Sequence, residues 1–197
     1  MQMTSVRGPA AAAIASMMLV AGAPSVCAAS LLPVKFNPLD AKTAGLAAAI
    51  AIPESYAVQN GDVVVSIVFR PSDGSAPIAG QFPLDIARAG TSAGITPRSG
   101  EAVFVGRLPA VEVKRFQATQ RKIKTRRAQV TGKGSFSVTV KGACTTAVTG
   151  SLPPMPVRTF IAAPGEGFRQ ISDSGDFFSL LGLRQAADLR GRIRRCG

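Results

Sequence analysis

From Leu46 onward the apolar residues of this 197-residue chain recur with a period near two, in short runs separated by Gly, Pro, Asn and Asp. That spacing is the signature of strands with one buried face. The clearest run is Val63 to Arg70, VVVSIVFR, which follows the turn signal QNGD. Its consecutive valines and the Ile-Val-Phe run predict a central strand, buried on both faces for part of its length. Leu46 to Ile52 alternates larger side chains with alanine and reads as a strand ended by Pro53, although alanine also suits a helix. Gln81 to Arg88, QFPLDIAR, places Phe82, Leu84 and Ile86 on one face, and Pro83 assigns it to a sheet edge or a bulge. Glu101 to Leu108, Ser135 to Cys144, Val157 to Ala162 and Phe168 to Ser172 complete the strand set. Such a series predicts an antiparallel sheet.

One stretch breaks the period. Pro109 to Val130, PAVEVKRFQATQRKIKTRRAQV, has helical spacing, with Val113, Phe116 and Ile123 on one stripe and Gln120 between them. Pro109 suits the first helical position, and Glu112 favours the positive end of the helix dipole. Lys114, Arg115, Arg121, Lys122 and Arg126 project away from the stripe, Lys124 lies near its seam, and Arg127 returns to it. The stripe is narrow, so the helix is expected to lie across a sheet, with GKG (residues 132–134) ending it. Further on, Asp173 or Ser174 is expected to cap a helical turn through DFFSLLG. The tail LRQAADLRGRIRRCG suggests a last short helix with Leu183, Ala187 and Leu189 inward and its arginines outward. The fold class expected is α+β: an antiparallel β-rich, sandwich-like domain with one long inserted basic helix and a short helical C-terminus.

The first 30 residues have a different character. Arg7 is the lone charge before the apolar run Ala10 to Ala23, and Pro24 and Ser25 precede small residues suited to a signal peptidase, with cleavage after Ala28 or Ala29. The run is shorter than the ~20 residues a membrane-spanning helix needs. The expected organisation is a leader over 1–28, an extended segment over 29–45 and a single domain over 46–197. The chain is then exported, to the periplasm or the medium, with no transmembrane segment in the mature form. Of Cys27, Cys144 and Cys196, the first leaves with the leader, and the other two can pair in an oxidising compartment. The alternative is a lipoprotein acylated on Cys27, but a lipobox prefers a small residue where Val26 stands.

Charge narrows the partners. The net charge is +12, and Arg7 would leave with the leader. The excess favours an anionic partner: lipid head groups, lipopolysaccharide, an acidic polymer or an acidic protein. Nucleic acid is the least accessible of these outside the cytoplasm. The contact surface expected joins Lys114, Arg115, Arg121, Lys122 and Arg126 with Arg190, Arg192, Arg194 and Arg195. Candidate chemistry is sparse. The chain has no His, which excludes a Ser-His-Asp triad and His-containing metal sites. No phosphate-binding or dinucleotide-binding glycine motif occurs, so no cofactor and no metal ligand are assigned. Only Asp173 and Asp176 lie close enough in sequence to suggest a carboxylate pair. The expected role is a non-enzymatic binding or structural one, with a secreted enzyme of unrecognised type as the alternative.

A strand, a Lys/Arg-rich helix, GKGSFSVTVKGAC, PVRTF, DFFSLL and a terminal Cys follow one another between about residues 103 and 196. In that order they resemble a group of small secreted bacterial proteins with no assigned function. The resemblance implies an exported domain tied by a disulfide between Cys144 and Cys196, and it brings no activity or site residues.

Overall fold

The computed structural model describes residues 37–90, 94–147 and 152–196. The expected leader over 1–28, with Cys27, lies outside the described residues. The strands are β1 (Ala47–Pro53), β2 (Tyr56–Ala57), β3 (Val63–Pro71), β4 (Ile78–Pro83), β5 (Asp85–Arg88) and β6 (Glu101–Arg107). Helix α1 (Ala110–Arg127) follows, then β7 (Gly132–Val140), β8 (Cys144–Thr145), β9 (Val157–Ala162), β10 (Arg169–Ser174), α2 (Leu183–Arg192) and β11 (Arg194–Arg195). They form a five-stranded antiparallel sheet in the order β10-β9-β1-β6-β5 and a three-stranded antiparallel sheet in the order β4-β3-β7. A small third sheet, β11-β8-β2, contains the parallel pair β11–β8. The architecture is the expected β-rich, sandwich-like α+β domain.

Both large sheets turn one face to a shared core. From β1 and β6 come Ala48, Ile50, Ile52, Ala102 and Phe104; from β3 come Val63, Val65, Ile67 and Phe69. Burying side chains of this size supplies roughly 1.5–3 kcal/mol each before conformational entropy is subtracted. The opposite face of the large sheet carries a smaller cluster of Ala49, Ala51, Val103 and Phe160, roofed by Ile95. Strand β1 is therefore covered on both sides, and the alanine-rich run is a strand, not a helix. The strand over 63–70 is central, between β4 and β7.

Several local expectations change. The run Gln81 to Arg88 is two strands: β4 ends at Pro83 on the edge of the small sheet, and β5 joins the edge of the large one. Gly106 permits that crossing, because a Cβ there would lie 2.6 Å from Ile86 Cδ1 and 2.7 Å from Leu84 Cδ1. The helix begins at Ala110 with Pro109 as its N-cap, one residue later than expected. GKG does not stop it: the helix ends at Arg127, and Gly132 already opens β7. Asp176, rather than Asp173 or Ser174, caps the 3-10 turn Phe177–Leu180 by accepting from Phe178 N–H. In α2 the buried residues are Ala186 and Leu189, whereas Leu183 is 93% exposed and Ala187 also faces solvent. The described part of the segment 29–45 is a turn and a 3-10 turn, Thr43–Gly45, and not an extended run.

Helix α1 lies across the small sheet, mainly on β4. The Phe116 ring meets the Phe82 ring edge-on with centroids 4.8 Å apart, and Gly80 leaves room for the Phe82 ring to fold back over β4. Ile123 is also fully covered. A buried polar bolt fixes the helix azimuth. Gln120 Nε2 donates to the carbonyls of Pro38 (2.8 Å) and Ala41 (3.2 Å), and its Oε1 accepts from Thr43 Oγ1 at 3.1 Å.

Candidate functional site

The buried stripe of α1 consists of Glu112, Phe116, Gln120 and Ile123. Val113, assigned to the core by sequence, is only half-buried, and Glu112 takes the covered position. A buried carboxylate needs a charged partner, and Arg115 supplies one, reaching Glu112 Oε1 at 2.6 Å while lying 5.7 Å from the Phe82 ring centroid. Two more helix cations are neutralised by remote loops. Lys124 Nζ lies 2.8 Å from Asp40. Arg126 pairs with Asp73 and also donates to Ser75 Oγ at 2.9 Å and Gln129 Oε1 at 3.3 Å. Hydrogen bonds from the Ser75 hydroxyl and backbone N–H, with Arg126 nearby, hold the Asp73 carboxyl below the usual carboxylate range. Of the residues placed in the expected contact surface, Arg126 ties the helix to the loop after β3, whereas Arg115 pairs within the helix and lies over Phe82 while remaining more than half exposed.

The cations that remain on α1 are Lys114, Arg121, Lys122 and Arg127. All four are exposed, and none has a carboxylate within 4 Å among the described residues. Arg121 and Lys122 rim a shallow open depression floored by Ile78, Ala118 and Thr125. No acidic residue occurs between Val113 and Val130, so their field is uncompensated along the helix.

The tail is anchored to the small third sheet. Cys144 and Cys196 are joined, with Cα atoms 5.0 Å apart, and Cys196 N–H donates to Thr145 O at 3.0 Å. Arg190 stacks 4.5 Å from the Phe178 ring centroid, and Arg192 pairs with Asp188 at 2.7 Å. Arg194 and Arg195 are exposed in β11, beside β8. Strand β8 follows Val140, which pairs with Val63 at the start of β3; Asp73 and Ser75, which hold Arg126, follow Pro71 at the other end. Nine strand residues separate the two by roughly 27 Å. The C-terminal cations of α1 and the tail arginines do not form the single patch that sequence reasoning joined.

No family model, curated protein or solved structure matches this chain. The site must be read from its own chemistry.

That chemistry is structural where acids meet bases. Arg158, in the apolar strand β9, is buried and pairs with Glu101, donating also to Thr96 O at 3.1 Å, with its guanidinium 5.3 Å from the Phe160 ring centroid. Burial raises the Glu101 carboxyl, but hydrogen bonds from Arg158 and from Arg98 N–H, with both guanidiniums attracting it, leave it below its ordinary value. This pair was not anticipated; an arginine within VRTFIA was its one signal. Asp173 is bound by Arg98 at 2.7 Å, and Asp176 accepts from Met155 N–H and Phe178 N–H, so the suspected carboxylate pair is engaged in holding loops. Burial and the neighbouring Asp176 raise the Tyr56 phenol, opposed by Arg190, while its hydroxyl donates to Pro153 O. Among the described residues no cluster of potential metal ligands occurs, and no buried side-chain nitrogen or oxygen lacks a partner. No described helix is long and apolar enough to cross a membrane. The other apolar side chain missed as exposed is Val111, 62% accessible at the start of α1.

Proposed function

We propose that the protein is an exported, non-enzymatic binding or structural component of the bacterial envelope that contacts an anionic partner through the outer face of α1. One observation carries the reading: Lys114, Arg121 and Lys122 stand exposed on a helix whose other face is buried, with no acidic side chain paired to them among the described residues. Lys124 and Arg126, by contrast, each have an acidic partner. Leaving a row of cations unscreened favours a partner that brings the negative charge. The apolar leader and the Cys144–Cys196 disulfide support an oxidising destination. The partner is then an anionic envelope component (lipid head groups, lipopolysaccharide or an acidic polymer) or an acidic protein.

The test is binding of the chain from Ser30 onward to an immobilised acidic polymer across a salt series, wild type beside Arg121→Gln/Lys122→Gln. Exposed charge contacts are screened over ~8 Å at 0.15 M salt and ~3 Å at 1 M. Binding should weaken steadily over that range and fall in the double variant. Affinity indifferent to salt or to both substitutions would remove the proposal.

A further inference from the structure

We propose that the anionic partner of α1 is a phospholipid membrane surface, on which the helix lies flat with Val111 reaching below the headgroups. The inference rests on the reading above and adds an apolar contact that a soluble polyanion does not use.

The argument is geometric. Val111, Lys114, Ala118, Arg121, Lys122 and Thr125 follow one another at the spacing i, i+3, i+7, i+10, i+11 and i+14, which keeps them on one face of an α-helix. At 1.5 Å per residue the face is about 21 Å long. It points away from the core, because Glu112, Phe116, Gln120 and Ile123 occupy the opposite side. Its azimuth is held by the Gln120 bonds and by the Lys124 and Arg126 ion pairs on its two flanks.

Along this face large cations alternate with small side chains. Ala118 keeps the surface low between Lys114 and the pair Arg121 and Lys122, and Thr125 does so beyond that pair, so headgroup phosphates can approach the helix from above. The depression beside them is floored by Ile78 and Ala118, apolar atoms under a basic rim. Val111 stands at the N-terminal end of the same face. It is one of two large apolar side chains exposed among the described residues. A flat basic helix face with an apolar residue at its level suits the interface of an anionic bilayer, where phosphate and the acyl boundary lie within ~5–10 Å of each other. The helix does not insert further, since its remaining apolar residues are spent on the core.

Intrinsic fluorescence separates the sources of negative charge. The chain has no Trp, so Val111→Trp introduces a single reporter, with Gln59→Trp, in the exposed turn before β3, as control. Probes are phosphatidylcholine vesicles, the same vesicles with 30 mol% phosphatidylglycerol (~30%, ample negative surface charge), and soluble polyphosphate. The expected result is a blue shift of the Val111→Trp emission with the anionic vesicles alone, and none from Gln59→Trp. Without a reporter, measured by co-sedimentation, Val111→Ser should bind the anionic vesicles about threefold more weakly and polyphosphate as the wild type does. Arg121→Gln/Lys122→Gln should lose about 25-fold on the vesicles, near fivefold per charge, and should weaken on polyphosphate too. Unchanged thermal unfolding of the Val111 variants checks that the fold is intact. An unmoved Val111→Trp spectrum, or equal vesicle binding by Val111→Ser and wild type, overturns the membrane inference while leaving a soluble polyanion as partner. Failure of the wild type to bind vesicles and polyphosphate alike overturns both.

Discussion

Replacing Cys144 and Cys196 together by alanine removes the one covalent link between the tail and the small third sheet. The cysteines are 52 positions apart, so the bridge closes a loop holding all of β9, β10 and α2. In the chain-entropy treatment, a closed loop of about 53 residues restricts the unfolded chain by about 4 kcal/mol at 25 °C. The folded state offers little compensation. The pairing of β11 is two residues long, and α2 contributes only Ala186 and Leu189 to the core, with Arg190 over Phe178. With a urea dependence of ~2 kcal/mol/M for a domain of this size, the midpoint should move down by ~2 M. Equilibrium urea unfolding followed by far-UV circular dichroism reads this directly, with the wild type in reductant as a second arm. The variant and the reduced wild type should coincide. A midpoint shift below about 0.5 M, with an unchanged slope, would refute the loop-entropy argument and mean that the tail is held by its packing.

Phe116→Ala should cost about 3–5 kcal/mol, since it leaves a fully covered site and removes the edge-on contact with Phe82; a loss under ~1 kcal/mol by urea unfolding would mean that α1 is not seated by this residue. Glu101→Gln should destabilise by about 3–5 kcal/mol by leaving the Arg158 guanidinium buried without a counter-charge. The same pair sets a pH dependence. Because the folded Glu101 carboxyl titrates below its unfolded value of ~4.3, its contribution is complete above that pH and is lost as pH falls through the lower, folded value. Acid titration of stability should therefore be steeper in the wild type than in Glu101→Gln below about pH 4.3, and equal slopes would contradict the assignment.

The legible part of this fold is where pattern and environment have one solution. Val63 to Arg70 is apolar at successive positions, and a strand flanked on both edges, with Val63 and Val65 covered on one face and Val64 on the other, accounts for its start. The division of Gln81 to Arg88 was not legible, for a physical reason. Phe82 and Leu84 belong to the shared core, and Ile86 packs against it. The alternation therefore runs unbroken through the crossing from one sheet to the other, and a period of two carries no mark of the switch. The tail failed differently. Of the expected stripe Leu183, Ala187 and Leu189, only Leu189 is buried, and Ala186 joins it instead; the phase follows features remote in sequence, the bond from Cys196 to Cys144 and the seat of Arg190 on Phe178. A stripe this short leaves the phase of a helix to its tertiary anchors.

The same reasoning explains why the charge of α1 was readable and its surface was not. Counting cations needs only the sequence, but their availability depends on Asp40 and Asp73, which arrive from loops far from the helix. Gln120, polar and unremarkable in the pattern, sets the azimuth by bonding Pro38, Ala41 and Thr43. Once that azimuth is fixed, Glu112 is covered in place of an apolar residue, Val113 moves to the flank, and Val111 is left outside. A single exposed valine is ordinary on a protein surface, and Val111 matters only through its place on the face that carries Lys114, Arg121 and Lys122. A merely soluble helix would gain from a polar residue at 111, because exposed valine lowers helix propensity and offers water nothing. The cost is small, a few tenths of a kcal/mol, and a helix seated by Phe116, Gln120 and Ile123 carries it without an apolar partner at that face.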